Sequence, residues 1–115
     1  MKEIINTLNE YKELEKDWDG YEGDAPSNEV VNSVIIFLDK LVEFPTPKTM
    51  LSGTGVVGLY WETHKYYIDI IFSKKDIFSY YVDNKESGAY FGDDNIKFEN
   101  FINSKIINIL KELKE

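Results

Sequence analysis

The chain has 115 residues, room for one ordinary domain with a single core, and 43% hydrophobic with 15% aromatic residues is enough to build that core. Thirteen basic against twenty-one acidic side chains leave a net charge of −8, and every basic residue is a lysine, so the phosphate and base-edge forks that arginine supplies are absent and direct nucleic-acid binding is not expected. The absence of cysteine removes disulfides, thiolate chemistry and the usual zinc sites, and with the charged N-terminal segment it suggests a cytoplasmic protein. No apolar run approaches the length of a membrane span.

From Lys2 to about Lys16, the residues Ile4, Ile5, Leu8, Tyr11 and Leu14 recur at helical spacing with charges between them, which predicts an amphipathic helix. The segment EKDWDGYEGDAPS, Glu15 to Ser27, then places five carboxylates, two aromatics and two glycines in thirteen positions. Glu15, Asp17, Asp19 and Gly20 fall at the first, third, fifth and sixth positions of a calcium loop. The twelfth, where a bidentate carboxylate must close the coordination sphere, is Pro26, so no metal is expected. A structural reading covers more residues. Trp18 and Tyr21 pin the loop to the core, with Trp18 four positions beyond Leu14 on the helical stripe. Gly20 takes a positive φ, Asp19 holds backbone amides, and Pro26 with Ser27 starts a second helix that runs to about Phe44.

The pattern Trp18-Asp19-Gly20-Tyr21, followed by Ala25-Pro26 and a helix, and later by Leu59-Tyr60-Trp61-Glu62, resembles the W-D-G-Y-G-A-x-P signature of small bacterial and phage proteins. Glu22 to Asp24 interrupt it where the signature has a bare Gly-Ala. The resemblance implies a shared fold and a bacterial or phage origin, and no activity.

After Pro45 and Pro47 the period changes from helical to alternating. Lys48 to Leu51 is a short strand candidate. Val57, Leu59 and Trp61 alternate with Gly58, Tyr60 and Glu62. Tyr66 to Phe72, Ile77 to Val82 and Ala89 to Gly92 follow, joined by turns at 63–65, 73–76 and 83–86. From Ile96 helical spacing returns through Phe98, Phe101, Ile102, Ile106, Ile109, Leu110 and Leu113. The fold expected over residues 1–115 is a single two-layer α+β domain: two N-terminal helices, an antiparallel meander of three to five strands, and a C-terminal helix.

No catalytic constellation emerges. His64 is the single histidine and lies in a predicted turn, and Ser52-Gly53-Thr54-Gly55 lacks the lysine and helix of a phosphate cradle, so the expectation is a protein that is not an enzyme and needs no cofactor. Two features point to a partner instead. Glu10, Glu13, Asp17, Glu22 and Asp24 form an acidic run off the apolar stripe, and tyrosines such as Tyr60, Tyr67 and Tyr80 lie on adjacent strands where some must look outward. These eight residues are the expected contact set for a protein partner with a basic surface. The matching function is an inhibitor of toxin-immunity, antitoxin or phage anti-defence type that blocks a nucleic-acid-handling protein, working as a monomer or homodimer. Two alternatives remain open: a small-ligand or cation-binding module using the Trp18 to Asp24 loop, and a carboxylate-dependent enzyme.

Overall fold

In the computed structural model, which describes residues 2–15, 18, 20 and 23–114, the chain runs helix, helix, five strands, helix. Helix α1 spans Lys2–Tyr11 and buries Ile4 and Leu8. Helix α2 spans Asn28–Phe37, and Ser27 caps it: extended backbone at the cap lets the hydroxyl oxygen accept from the Val30 amide at 3.1 Å. A 3-10 helix, Leu38–Leu41, tightens its end, so the predicted run to Phe44 is two elements rather than one.

The strands are β1 (Lys48–Leu51), β2 (Val57–Glu62), β3 (Tyr66–Lys74), β4 (Ile77–Asn84) and β5 (Tyr90–Lys97). They form one sheet in the order β1-β2-β3-β4-β5, every neighbour antiparallel, which is the expected meander at the upper end of its predicted strand count. Strand β5 continues to Lys97, where sequence periodicity places a helix. Pairing with β4 overrides the weak local pattern: Ile96 sits opposite Phe78, and Lys97 opposite Ile77. A register shift between Phe78 and Tyr80 and a positive φ of 56° at Asn95 mark a bulge in this edge. The C-terminal segment then divides into a 3-10 helix, Phe98–Asn103, an extended Ser104, and helix α3, Ile106–Leu113.

One face of the sheet carries the core. Val57, Leu59 and Trp61 of β2, Ile68, Ile70 and Phe72 of β3, and Phe78, Tyr80 and Val82 of β4 are buried under the helices. Phe37 of α2 sits at the centre, its ring 4.9 to 5.3 Å from those of Phe72, Phe78, Phe98 and Phe101, in the tilted and edge-on arrangements that aromatic quadrupoles favour. Trp61 satisfies its indole N–H on the Pro45 carbonyl at 2.7 Å. At the far end of the sheet the Tyr66 hydroxyl donates to the Glu112 carboxylate of α3. Helix α1 lies on the same covered side, tied to the edge strand by a 3.0 Å hydrogen bond between Tyr11 Oη and Thr49 Oγ1.

The loop before α2 is strapped to the β1–β2 turn. The Asp24 amide donates to the Gly53 carbonyl at 2.8 Å, Asp24 bridges Thr54, and the Trp18 indole N–H donates to the Asp24 carbonyl at 2.8 Å. Trp18 is half-buried and stands outside the core cluster of the described residues, which corrects its assignment as a core anchor. The reason is that α1 ends at Tyr11, so the four-residue spacing from Leu14 no longer projects Trp18 onto the helical stripe. Gly20 adopts the positive φ expected of it, at 77°. Asp17, Asp19, Tyr21 and Glu22 lie outside the described residues.

Candidate functional site: the open face of the sheet

A β-strand turns successive side chains to opposite faces, so the burial of Val57, Leu59 and Trp61 forces Gly58, Tyr60 and Glu62 outward. The same parity turns out Tyr67, Asp69 and Ile71 of β3, and Ser79, Tyr81 and Asp83 of β4. The helices pack on the other face, leaving this one open.

The register arranges the open face in rows. Glu62, Tyr67, Asp83 and Tyr90 stand opposite one another across β2 to β5, and Lys48, Tyr60, Asp69, Tyr81 and Gly92 do so across β1 to β5. Tyrosines and carboxylates therefore alternate like the squares of a chequerboard, both along each row and along the middle strands. A third row, Met50, Gly58, Ile71 and Ser79, is apolar at its β1 end. A Cβ on Gly58 would lie 2.7 Å from Met50 Cε and 3.1 Å from Ile71 Cδ1, so glycine is what allows those two side chains to close over the strand.

The tyrosines stand in pairs. Tyr60 and Tyr67 are stacked with ring centroids 6.3 Å apart, and Tyr81 and Tyr90 are tilted at 6.1 Å. Tyr81 is 39% and Tyr90 71% exposed, whereas Tyr60 and Tyr67 are half-buried. Gly92 ends its row beside Tyr81 without a side chain, because a Cβ there would meet the Tyr80 carbonyl oxygen at 2.4 Å.

Asp69 occupies the middle of the face. It is half-buried, flanked by Tyr60 and Tyr81, and accepts a 3.2 Å hydrogen bond from the Tyr67 hydroxyl on Oδ2. Burial raises its pKa above the ordinary value, and the Tyr67 hydrogen bond partly offsets this. Tyr67 is pushed up to about 12, first by burial and then by the neighbouring Asp69 charge. Tyr81 is also raised, by burial and then by Asp83. Glu62 behaves oppositely. A 2.8 Å hydrogen bond and ion pair from Lys85 hold its pKa below the usual range, and the same ammonium reaches the Thr63 carbonyl at 2.9 Å. The ion pairs among the described residues are Lys85–Glu62 and Lys75–Glu29, so neither Asp69 nor Asp83 has a cationic partner.

The predicted contact residues divide between the two sides of the molecule. Tyr60 and Tyr67 lie on the open face. Tyr80 does not: it is 6% exposed and stands opposite Ile70 in the core, so its assignment to a contact surface is corrected. Alternation puts Tyr81 outside in its place. The sequence carries the signal that separates them, since Tyr80 has Phe78 and Val82 two residues away on either side while Tyr81 has Ser79 and Asp83. Tyr81 and Tyr90, two more of the sheet tyrosines the sequence puts on adjacent strands, and Asp69 and Asp83 are open-face residues outside the predicted contact set. Glu10 on α1, Glu13 just beyond it and Asp24 in the strapped loop are exposed, but they belong to the helix side and to the β1–β2 end rather than to the tyrosine face. Asp17 and Glu22 are outside the described residues.

Other concavities hold less chemistry. A groove of about 730 Å³ along β5 mixes Asp93, Asp94 and Glu99 with Lys97 and Lys105. His64 is exposed in the β2–β3 turn, as its sequence position predicted. Among the described residues no group of histidine and carboxylate side chains is placed to hold a metal ion, and no helix is long and apolar enough to cross a membrane. Compared with known proteins, the chain matches no family model, no curated protein and no solved structure.

Proposed function

We propose that the protein acts by binding another protein through the open face of its sheet, as an inhibitor that occupies a basic surface of a nucleic-acid-handling partner. This is the mode of a toxin-immunity protein, an antitoxin or a phage anti-defence protein. The observation that carries this reading is the chequerboard: four outward tyrosines alternating with three carboxylates on a rigid sheet that the protein's own helices leave uncovered. Tyrosine gives large contact area with few rotamers to immobilise, which is why interfaces favour it. The surplus of acid on this face and over the whole chain supplies attraction to a basic cleft and raises the rate of encounter.

The experiment is capture of a partner from the native host, followed by stopped-flow association with the purified pair. Tyr81→Ala with Tyr90→Ala is expected to abolish capture while leaving the melting temperature near that of the parent. Glu10→Gln with Glu13→Gln is expected to lower the association rate and leave dissociation unchanged. The association rate is expected to fall steeply as salt shortens the Debye length to about 10 Å at 0.1 M. Capture that survives the tyrosine pair and fails with the helix pair moves the contact surface to the acidic run of α1.

A further inference from the structure

The geometry points to a socket for one arginine side chain of that protein partner, with Asp69 as its floor and Tyr60 and Tyr81 as its walls. The inference rests on the reading of the open face as a protein-binding surface and names the group that anchors it.

Three observations converge on Asp69. It stands in the central strand of the five, with a tyrosine directly opposite on each neighbouring strand. Among the described residues it has no cation, although Glu62, at the end of the adjoining row, has one in Lys85. Among the described residues its one hydrogen bond comes from the Tyr67 hydroxyl to Oδ2, and Oδ1 accepts from none of them. A half-buried carboxylate without a counter-ion disfavours its own charged form, and among the described residues the Tyr67 hydroxyl is the one group that offsets this. A partner's cation supplies what is missing.

The shape selects the cation. The Tyr60 and Tyr81 backbones stand two strand spacings apart, about 9.5 Å, on either side of Asp69, and a planar group in contact with a ring on each side needs about 7–8 Å; the Tyr67 hydroxyl, on Asp69 Oδ2, borders the same space. A guanidinium is planar, stacks on aromatic faces, loses its hydration readily and offers parallel N–H donors to a carboxylate. A lysine ammonium is compact and strongly hydrated, and gains less from a slot between rings. A divalent metal wants six or more oxygens, and this socket offers one carboxylate. On its outer side Tyr81 is backed by the Tyr90 ring at 6.1 Å, with Gly92 directly opposite it on β5.

The test uses the full chain labelled with nitrogen-15 and three peptides, acetyl-Gly-X-Gly-amide with X as arginine, lysine or citrulline. With the arginine peptide, the amides of Tyr60, Asp69 and Tyr81 are expected to shift saturably, with a dissociation constant about fivefold or more below that of the lysine peptide. Citrulline keeps the shape without the charge and is expected not to saturate. Asp69→Asn keeps the Tyr67 hydrogen bond and the fold, checked by spectral dispersion, and is expected to abolish the arginine response. Equal titration by citrulline, shifts centred away from this row, or an unchanged response in Asp69→Asn overturns the socket. Against the captured partner, Asp69→Asn that binds normally where Tyr81→Ala with Tyr90→Ala does not removes the socket and leaves the open face standing. Normal binding by both removes the open face as well.

Discussion

Tyr80 and Tyr81 are adjacent in β4, yet they belong to regions built on different terms. Tyr80 points into the covered face, where its ring lies 6.3 Å from Phe78 and 6.1 Å from Phe91 and almost none of it meets water. Tyr81 points to the open face, where its neighbours across the strands are a carboxylate and a glycine and its nearest ring is another exposed tyrosine. The covered face is mainly apolar, and its polar atoms are matched: among the described residues no buried side-chain nitrogen or oxygen lacks a partner. The open face alternates phenol and carboxylate and leaves Asp69 and Asp83 without counter-ions. One face is complete without anything further, and the other presents groups that a second molecule can complete.

That contrast is broken most severely from the covered side. Phe37→Ala removes the ring that touches four other aromatics and is expected to destabilise the protein by about 3–5 kcal/mol, read by denaturant unfolding. Trp61→Phe keeps most of the apolar volume but strands the Pro45 carbonyl, with an expected loss of about 1–3 kcal/mol. A loss in either variant as small as that of an exposed substitution, about 0.5 kcal/mol, means that the covered face is less tightly packed than its geometry indicates.

The open side is expected to respond differently. Asp69→Asn removes a charge that the fold disfavours, so stability at neutral pH is expected to stay level or rise. In the parent, the raised pKa means that the folded state holds its proton more tightly than the unfolded state does. The Asp69 contribution is therefore full below the ordinary value of 3.8, falls as pH rises through the raised folded value, and is level above it. Asp69→Asn is expected to flatten that segment of the pH profile of the melting temperature. A large destabilisation by Asp69→Asn identifies the carboxylate as structural. The smallest expected effect is at Tyr67. With a folded value of about 12 against an ordinary 10.0, stability is expected to decline between those two pH values. Ultraviolet titration of the phenols should lose its highest step in Tyr67→Phe.

The strands were legible because hydrophobic alternation is a local signal: Val57, Leu59 and Trp61, or Ile68, Ile70 and Phe72, announce both a strand and its inner face. Strand β5 was only partly legible, since YFGDDNIK has little alternation and owes its extended form to pairing with β4. Sequence periodicity starts the C-terminal helix too early for the related reason that Phe98 and Phe101, spaced three apart, suit a 3-10 turn as well as an α-helix. At the site, the doublets Tyr66-Tyr67 and Tyr80-Tyr81 put a tyrosine on each face whichever way the strand is turned, so counting tyrosines was blind to orientation. The chequerboard depends on register between strands, which no single strand encodes.

Because each strand pairs only with its neighbours in sequence, the sheet assembles by closing short loops, such as the two residues between β3 and β4. The long closures belong to the helices, as in the contact of Tyr11 with Thr49, 38 positions apart, and of Tyr66 with Glu112, 46 apart. Loop-closure entropy favours forming near pairings before distant ones, so the folding transition state is expected to contain β2 to β4 with the helices still loosely attached. In stopped-flow experiments Ile70→Val should then slow folding, while Leu8→Ala should mainly accelerate unfolding. The reverse pattern places helix docking at the barrier. On the expected route, the open face takes shape while the opposite face is still acquiring its cover, and the speed with which the helices close determines how long the bare apolar side is exposed to other chains.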